Sequence, residues 1–203
     1  MSELKQNIDW EKKWQEGQTG WDHGEASPAL VALFEQEETR SLIPKHGRGL
    51  VPGCGSGYDV VFLASKDRHM TGMDFSQTCV DMLHKNHPDA STQNYDFVCA
   101  DFYKFQVPDG GYNLAYDYTF LCAMDLHMRP AWGKRYGEII AKDGVLITLM
   151  FPLDVHEGGP PFTVSEELYH DLLDENFDLI YIKDAVGHST RLGREKIAVW
   201  KRK

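Results

Sequence analysis

The chain has 203 residues, enough for one ordinary α/β domain with a modest extension and too few for a second globular unit. Its 31 acidic and 21 basic residues leave a formal net charge of −10 with no basic stripe, so a phosphate-rich partner such as nucleic acid is repelled rather than steered in. No apolar run is long enough for a membrane span, and Cys54, Cys79, Cys99 and Cys122 form no C-x-x-C pair; the expectation is a cytoplasmic protein with reduced thiols and no metal.

Trp10 and Trp14 stand four residues apart and share one face of a short helix, and Trp21 follows beyond Gly17-Gln18-Thr19-Gly20. Such a stripe either packs on a core or forms a lid, and aromatic faces suit a cationic ligand, at roughly 0.5–2 kcal/mol per contact when water is excluded. Residues 1–40 are read as this N-terminal cap and 41–203 as the core of a single domain.

The core opens with Arg48-Gly49-Leu50-Val51-Pro52-Gly53-Cys54-Gly55-Ser56-Gly57-Tyr58-Asp59: a short apolar strand, a glycine turn and the start of a helix over 58–65. A second strand over 69–74 ends in Asp74. Glycine lets the backbone turn sharply against a ligand, and an acid about twenty residues on can accept both hydroxyls of a ribose. The spacing is G-x-G-x-G rather than G-x-G-x-x-G, which disfavours NAD, and no G-x-x-x-x-G-K-[ST] offers a lysine to a triphosphate. S-adenosylmethionine, with ribose hydroxyls and no phosphate, fits the pattern best.

The β-α alternation continues with a helix over 77–86, a strand over 95–100 closed by Asp101, a strand over 112–120, and a helix opening at Arg129-Pro130. Residues 144–150 form an apolar run suited to a strand covered on both faces, and Ser165 caps a helix over 165–176. Strand-like runs over 177–182 and 196–200 leave no room for a helix between them and should pair antiparallel. A seven-stranded, mostly parallel sheet with an antiparallel C-terminal strand resembles the Rossmann-like fold of class I S-adenosylmethionine-dependent methyltransferases.

Taken in order, Trp10-Glu-Lys-Lys-Trp14, Gly20-Trp21-Asp22, Val51-Pro52-Gly53-Cys54-Gly55, Asp117-Tyr118, Met128-Arg129-Pro130-Ala131-Trp132-Gly133-Lys134 and His156-Glu157-Gly158-Gly159-Pro160 resemble the thiopurine S-methyltransferase superfamily. The likeness is greatest to its plant and fungal thiol/halide methyltransferases. That resemblance implies a monomer that methylates halide, thiocyanate, hydrosulfide or small thiols. It further implies that Trp10, Trp14 and Trp21 wall the methionine and sulfonium end, Gly53 meets the cofactor through its backbone, and Asp74 holds the ribose. Asp101 and Phe102 would contact the adenine. Tyr118 would lie near the methyl and the acceptor, orienting the acceptor or relaying its proton, with Trp21 also on the acceptor side. Other acceptors (a larger thiol, nitrogen, selenium or arsenic) would use the same cofactor site, and a non-enzymatic nucleoside sensor would keep it without turnover.

Other motifs have plainer readings. His156-Glu157-Gly158-Gly159-Pro160-Pro161 cannot be the helix of an H-E-x-x-H zinc site, so residues 152–163 are expected to be a loop on the rim of the acceptor pocket. Cys54 and Cys122 lack a histidine partner at a readable spacing and are expected to pack.

Overall fold

The computed structural model describes residue 4 and residues 6–203. Three helices precede the sheet: α1 (Trp10–Gln15), α2 (Pro28–Glu35) and α3 (Glu37–Arg40). The core then alternates β1 (Gly47–Pro52), α4 (Tyr58–Leu63), β2 (Arg68–Asp74), α5 (Gln77–Asn86), β3 (Tyr95–Cys99), β4 (Tyr112–Tyr118), α6 (Arg129–Ile139), β5 (Ile140–Met150), α7 (Glu166–Leu173), β6 (Phe177–Asp184) and β7 (Lys196–Arg202).

All seven strands form one sheet in the order β3-β2-β1-β4-β5-β7-β6. β1 pairs in parallel with β2 and β4, as do β2 with β3 and β4 with β5, whereas β7 runs antiparallel to both β5 and β6. This is the predicted class I methyltransferase sheet.

Because strand side chains alternate, neighbouring residues feed opposite faces. Leu50, Ala115, Leu146 and Ala198 join Trp132 and Tyr136 of α6 and Tyr169 of α7 on one side. On the other, Val51, Tyr116, Ile147 and Val199 join Leu30 of α2, Val60 of α4 and Leu83 of α5. Burial on both faces explains the continuous apolar runs of the central strands.

Some boundaries differ from those the pattern suggests. α4 stops at Leu63 because Ala64 turns extended (ψ 144°). β4 stops at Tyr118 because Thr119 takes a left-handed φ of 57°, which ends the ladder. β5 begins at Ile140, straight from α6, with Asp143 at φ 64° marking the irregular stretch before the apolar run. α2 buries Ala29, Leu30 and Leu33, so it belongs to the core packing rather than to a cover. α1 buries none of its residues.

Candidate active site

The parallel order reverses between β1 and β4, and a cavity of about 1110 Å³ opens at the C-terminal ends of the strands around that point, where open α/β sheets bind ligands. Its floor is the turn after β1. Gly53, Gly55 and Gly57 sit at φ 59°, 51° and 78°, left-handed values that L residues rarely adopt. A Cβ on Gly53 would stand 2.5 Å from the Phe120 ring, so the turn leaves no space for a side chain.

Asp74 lies at the end of β2. Its Oδ1 accepts from Ser76 N at 2.9 Å and its Oδ2 from Gly55 N at 3.2 Å, which orients the carboxylate and ties the two ends of the turn together. Burial raises its pKa, while these amide donors pull it back. Two bonds leave lone pairs free for the hydroxyls of a ligand.

The roof is residues 6–23. Trp21 meets Trp10 and Trp14 edge to face, with ring centroids 5.5 and 5.8 Å apart, and all three line the cavity. No residue of α1 is fully buried; its stripe lines this cavity, and Trp14 also packs on the edge of the core. Trp21 Nε1 and the Trp14 ring come within 3.7 and 3.9 Å of where a Gly55 Cβ would lie. Side-chain bonds fasten the roof on both sides: Glu11 accepts from Ser76 Oγ and Thr78 Oγ1, each at 2.6 Å, and Asp125 Oδ2 accepts from Asn7 N at 2.7 Å.

Asp101 and Phe102 line the wall beyond β3. Asp101 Oδ1 caps the following turn by accepting from Tyr103 N at 2.9 Å, and Phe102 packs edge to face on Phe120. Next to them Phe75 lines the cavity with 64% of its surface exposed, the most exposed aromatic ring of the described residues. Residues 152–163 form a loop as expected, with Pro160 and Pro161 on the cavity beside Phe151. His156 only ties that loop, through Pro161 O at 2.8 Å.

Trp10, Trp14, Trp21, Gly53, Asp74, Asp101 and Phe102 thus converge on one cavity. Tyr118 does not lie on its wall. Its ring faces a small polar cleft beside it, and its hydroxyl donates to Glu195 Oε1 at 2.8 Å. The residue of the inner wall that pattern reading missed is Arg191, from the short 3₁₀ turn between β6 and β7. Its guanidinium, 7% exposed, lies 4.3 Å from the Phe151 ring centroid and 5.0 Å from that of Tyr118. Nη2 reaches Trp21 O at 3.4 Å, Nη1 has no hydrogen-bond partner, and Glu195 is 4.0 Å away. Cys122 also lines the cavity, but burial pushes its thiol up to about 12, which leaves it unreactive.

The model of the thiopurine S-methyltransferase family matches residues 5–203. The chain is 43% identical over 198 residues to the Arabidopsis thaliana protein named "Probable thiol methyltransferase 2", covering 95% of this chain and 84% of that one. It is 39% identical to thiocyanate methyltransferase 1 of Brassica oleracea, with the same coverage. The chain belongs to the thiopurine S-methyltransferase family. It is an S-adenosylmethionine-dependent methyltransferase. Solved structures agree on the fold: magnesium protoporphyrin IX methyltransferase from Synechocystis PCC 6803 superposes with a TM-score of 0.65 at 17% identity, over 86% of this chain and 78% of that one. A structure from work on converting a disulfide bond into a thioacetal group during echinomycin biosynthesis gives 0.70 at 21% identity, over 90% and 84%.

The residues of this methyltransferase suit its cofactor. The cavity exceeds the roughly 300–1,000 Å³ of ordinary small-molecule sites, its glycine floor admits close backbone approach, and Asp74, bonded to that floor through Gly55 N, retains acceptor capacity for hydroxyls. Among the described residues, no three His, Cys, Asp or Glu side chains are grouped to hold a metal.

Proposed function

We propose that the enzyme methylates a small soft nucleophile, namely a halide, thiocyanate, hydrosulfide or small thiol. The observation that carries this reading is Arg191: a buried guanidinium on the cavity wall, packed on Phe151 and near Cys122, whose Nη1 has no hydrogen-bond partner and only a 4.0 Å ion pair with Glu195. A buried cation without a full complement of acceptors is costly, and a desolvated anion would complete it. The surrounding sulfur and aromatic atoms are polarisable, as befits soft anions. The relatives named thiol and thiocyanate methyltransferases support the same acceptor class.

In this reading the Asp74 carboxylate accepts the ribose hydroxyls, Phe75, Asp101 and Phe102 contact the adenine, and Trp10, Trp14 and Trp21 cover the methionine end with Gly53 beneath. Bound S-adenosylmethionine supplies an electrophilic methyl on a sulfonium. Arg191 holds the acceptor, Trp21 closes over it, and Tyr118, stacked beneath the guanidinium, fixes the plane of Arg191. The protein's contribution is alignment and exclusion of water; bringing nucleophile and carbon to about 3–3.5 Å is worth several kcal/mol of barrier. The monomeric state implied by the resemblance and the cytoplasmic location read from the composition are adopted with it; four free cysteines suit the latter.

The cavity's size favours a second reading, a larger organic thiol as acceptor. Incubation with S-adenosylmethionine and iodide, thiocyanate or hydrosulfide, with headspace analysis for methyl iodide, methyl thiocyanate and methanethiol, tests the first. Volatile product that requires the enzyme supports it. Cofactor binding without any such product rejects the small-anion class and leaves the larger thiols.

A further inference from the structure

Glu195 is used by nothing above. It follows the Arg191 turn and directly precedes β7, and its side chain is completely buried. One oxygen, Oε1, accepts from the Tyr118 hydroxyl at 2.8 Å and lies 4.0 Å from Arg191 Nη1. The other, Oε2, has no hydrogen-bond partner and is packed so closely on Gly187 that a side chain there would collide with it. A fully buried carboxyl with half its acceptor capacity unmet is an expensive arrangement.

Beside it lies the small cleft, with a volume of about 60 Å³, enough for a few waters at roughly 10–15 Å³ each. Tyr118, Thr119, Trp21, His23 and Gly53 border it, and all but Tyr118 also border the main cavity. Three buried polar atoms around it lack partners: His23 Nε2, Ser27 Oγ and Tyr116 Oη. Water in the cleft would connect the acceptor end of the cavity with Tyr118.

We propose that Glu195, acting through Tyr118 and Arg191, sorts acceptors by whether they arrive as anions or carrying a proton. The inference rests on the acceptor reading given above. For an anion such as thiocyanate, ionised Glu195 is a competing negative charge beside Arg191 and weakens the anion's hold. For a thiol or dihydrogen sulfide, Glu195 is the sink for the proton that must leave. As the acceptor sulfur attacks, its S–H bond breaks and the proton passes, directly or through cleft water, to the Tyr118 oxygen, whose own proton moves to Glu195 Oε1. The new sulfur–methyl bond forms while the methyl–sulfonium bond breaks, its electron pair staying on the departing thioether. The positive charge lost by the sulfonium is balanced by the negative charge lost by Glu195.

The groups facing this carboxyl are consistent with the role. Burial raises its pKa above the ordinary carboxylate value, opposed by the Tyr118 bond and by the charges of Arg191 and Arg194. Burial lowers the pKa of His23 and of His188, which stack with ring centroids 4.1 Å apart; Arg191 pushes in the same direction, opposed at His23 by Asp22 and at both by Glu25.

The test is Glu195→Gln, which keeps the shape and removes both the charge and the proton sink. Thiocyanate KM should fall several-fold, and calorimetry should find thiocyanate binding the S-adenosylhomocysteine complex correspondingly more tightly. With a thiol of pKa near 8.5, kcat/KM should drop at least tenfold at pH 6–7 and approach wild type as the pH passes that value and solution supplies thiolate. Opposite signs for the two acceptors cannot come from a damaged fold. Both acceptors falling together, or thiol activity keeping its wild-type pH profile, overturns the proposal. Should that variant not fold, Tyr118→Phe breaks the relay while retaining the ion pair, and it must lose thiol activity at low pH without tightening thiocyanate; an unchanged profile again overturns it. Wild-type enzyme that methylates neither acceptor refutes the underlying acceptor reading, whereas wild-type turnover with either failed variant pattern refutes only the role of Glu195.

Discussion

Glu11 in the roof and Ser76 at the start of α5 are joined by a 2.6 Å hydrogen bond, and Ser76 is also the N-cap of α5, its Oγ accepting from Cys79 N at 3.1 Å. Ser76 N in turn donates to Asp74. One short chain of bonds therefore runs from the tryptophan-bearing helix to the Asp74 carboxylate at the end of β2. Glu11 reaches past Ser76 to Thr78 Oγ1 and Thr78 N, so a single side chain holds α1 on the first turn of α5.

Removing that latch with Glu11→Ala should loosen the roof without unfolding the sheet. Losing the bonds, at about 1 kcal/mol each, should weaken S-adenosylhomocysteine binding roughly five- to twentyfold in calorimetry. A variant binding as tightly as wild type would show that the roof is held by the tryptophans alone.

The same latch has a pH dependence of defined sign. Bonds from Ser76 and Thr78 lower the Glu11 pKa to about 2, from 4.5. A carboxyl depressed on folding contributes stability that is fully present above pH 4.5 and is lost as pH falls towards 2. The melting temperature of wild type should therefore fall more than that of Glu11→Gln between pH 4.5 and 2.5, and parallel curves for the two would contradict the assignment.

Asp74→Asn keeps the side chain's shape but substitutes an amide nitrogen for one oxygen that now accepts from Gly55 N or Ser76 N. The expected cost to cofactor binding is about 1–3 kcal/mol, roughly five- to a hundredfold in Kd. Equal affinity in variant and wild type would remove Asp74 from the ribose site.

Legibility from sequence followed locality. Gly53, Asp74 and Asp101 could be placed because each sits at, or within two residues of, the C-terminal end of a strand, and the parallel order carries all three to one edge. Periodicity alone left the tryptophan stripe open between core packing and a lid, since it does not say which surface a face meets, and the cap reading of residues 1–40 went beyond it; in the structure no residue of α1 is fully buried. α2 lies inside the segment read as the cap, and only its burial of Ala29, Leu30 and Leu33 assigns it to the core. Arg191 and Glu195 lie in a polar stretch without period, and only the antiparallel return of β7 brings that stretch beside Tyr118. The same contact explains why Tyr118 turns its hydroxyl away from the cavity.

Arg191→Met should separate acceptor from cofactor. The guanidinium has one weak hydrogen bond, to Trp21 O, but it also packs on the Phe151 ring and lies 4.0 Å from the buried Glu195 carboxylate, so its removal lowers the melting temperature and the binding comparison is made at a temperature where the variant is folded. Thiocyanate KM should rise at least tenfold while the Kd for S-adenosylhomocysteine changes less than threefold. A large loss of cofactor affinity with unchanged thiocyanate KM would instead assign Arg191 to the methionyl carboxylate.

Phe75→Ala gives the cleanest separation of binding from stability. The ring is 64% exposed on the cavity wall, directly after Asp74, so the folded chain without ligand gains little by burying it. A flat base stacked there would cover it, a contact worth about 0.5–1.5 kcal/mol. The variant should therefore keep its melting temperature within a degree or two, while S-adenosylhomocysteine affinity falls roughly two- to tenfold and the ligand-induced rise in melting temperature shrinks accordingly. If the free protein is destabilised instead and the ligand-induced rise is unchanged, Phe75 supports the strand end and the adenine lies elsewhere on the wall.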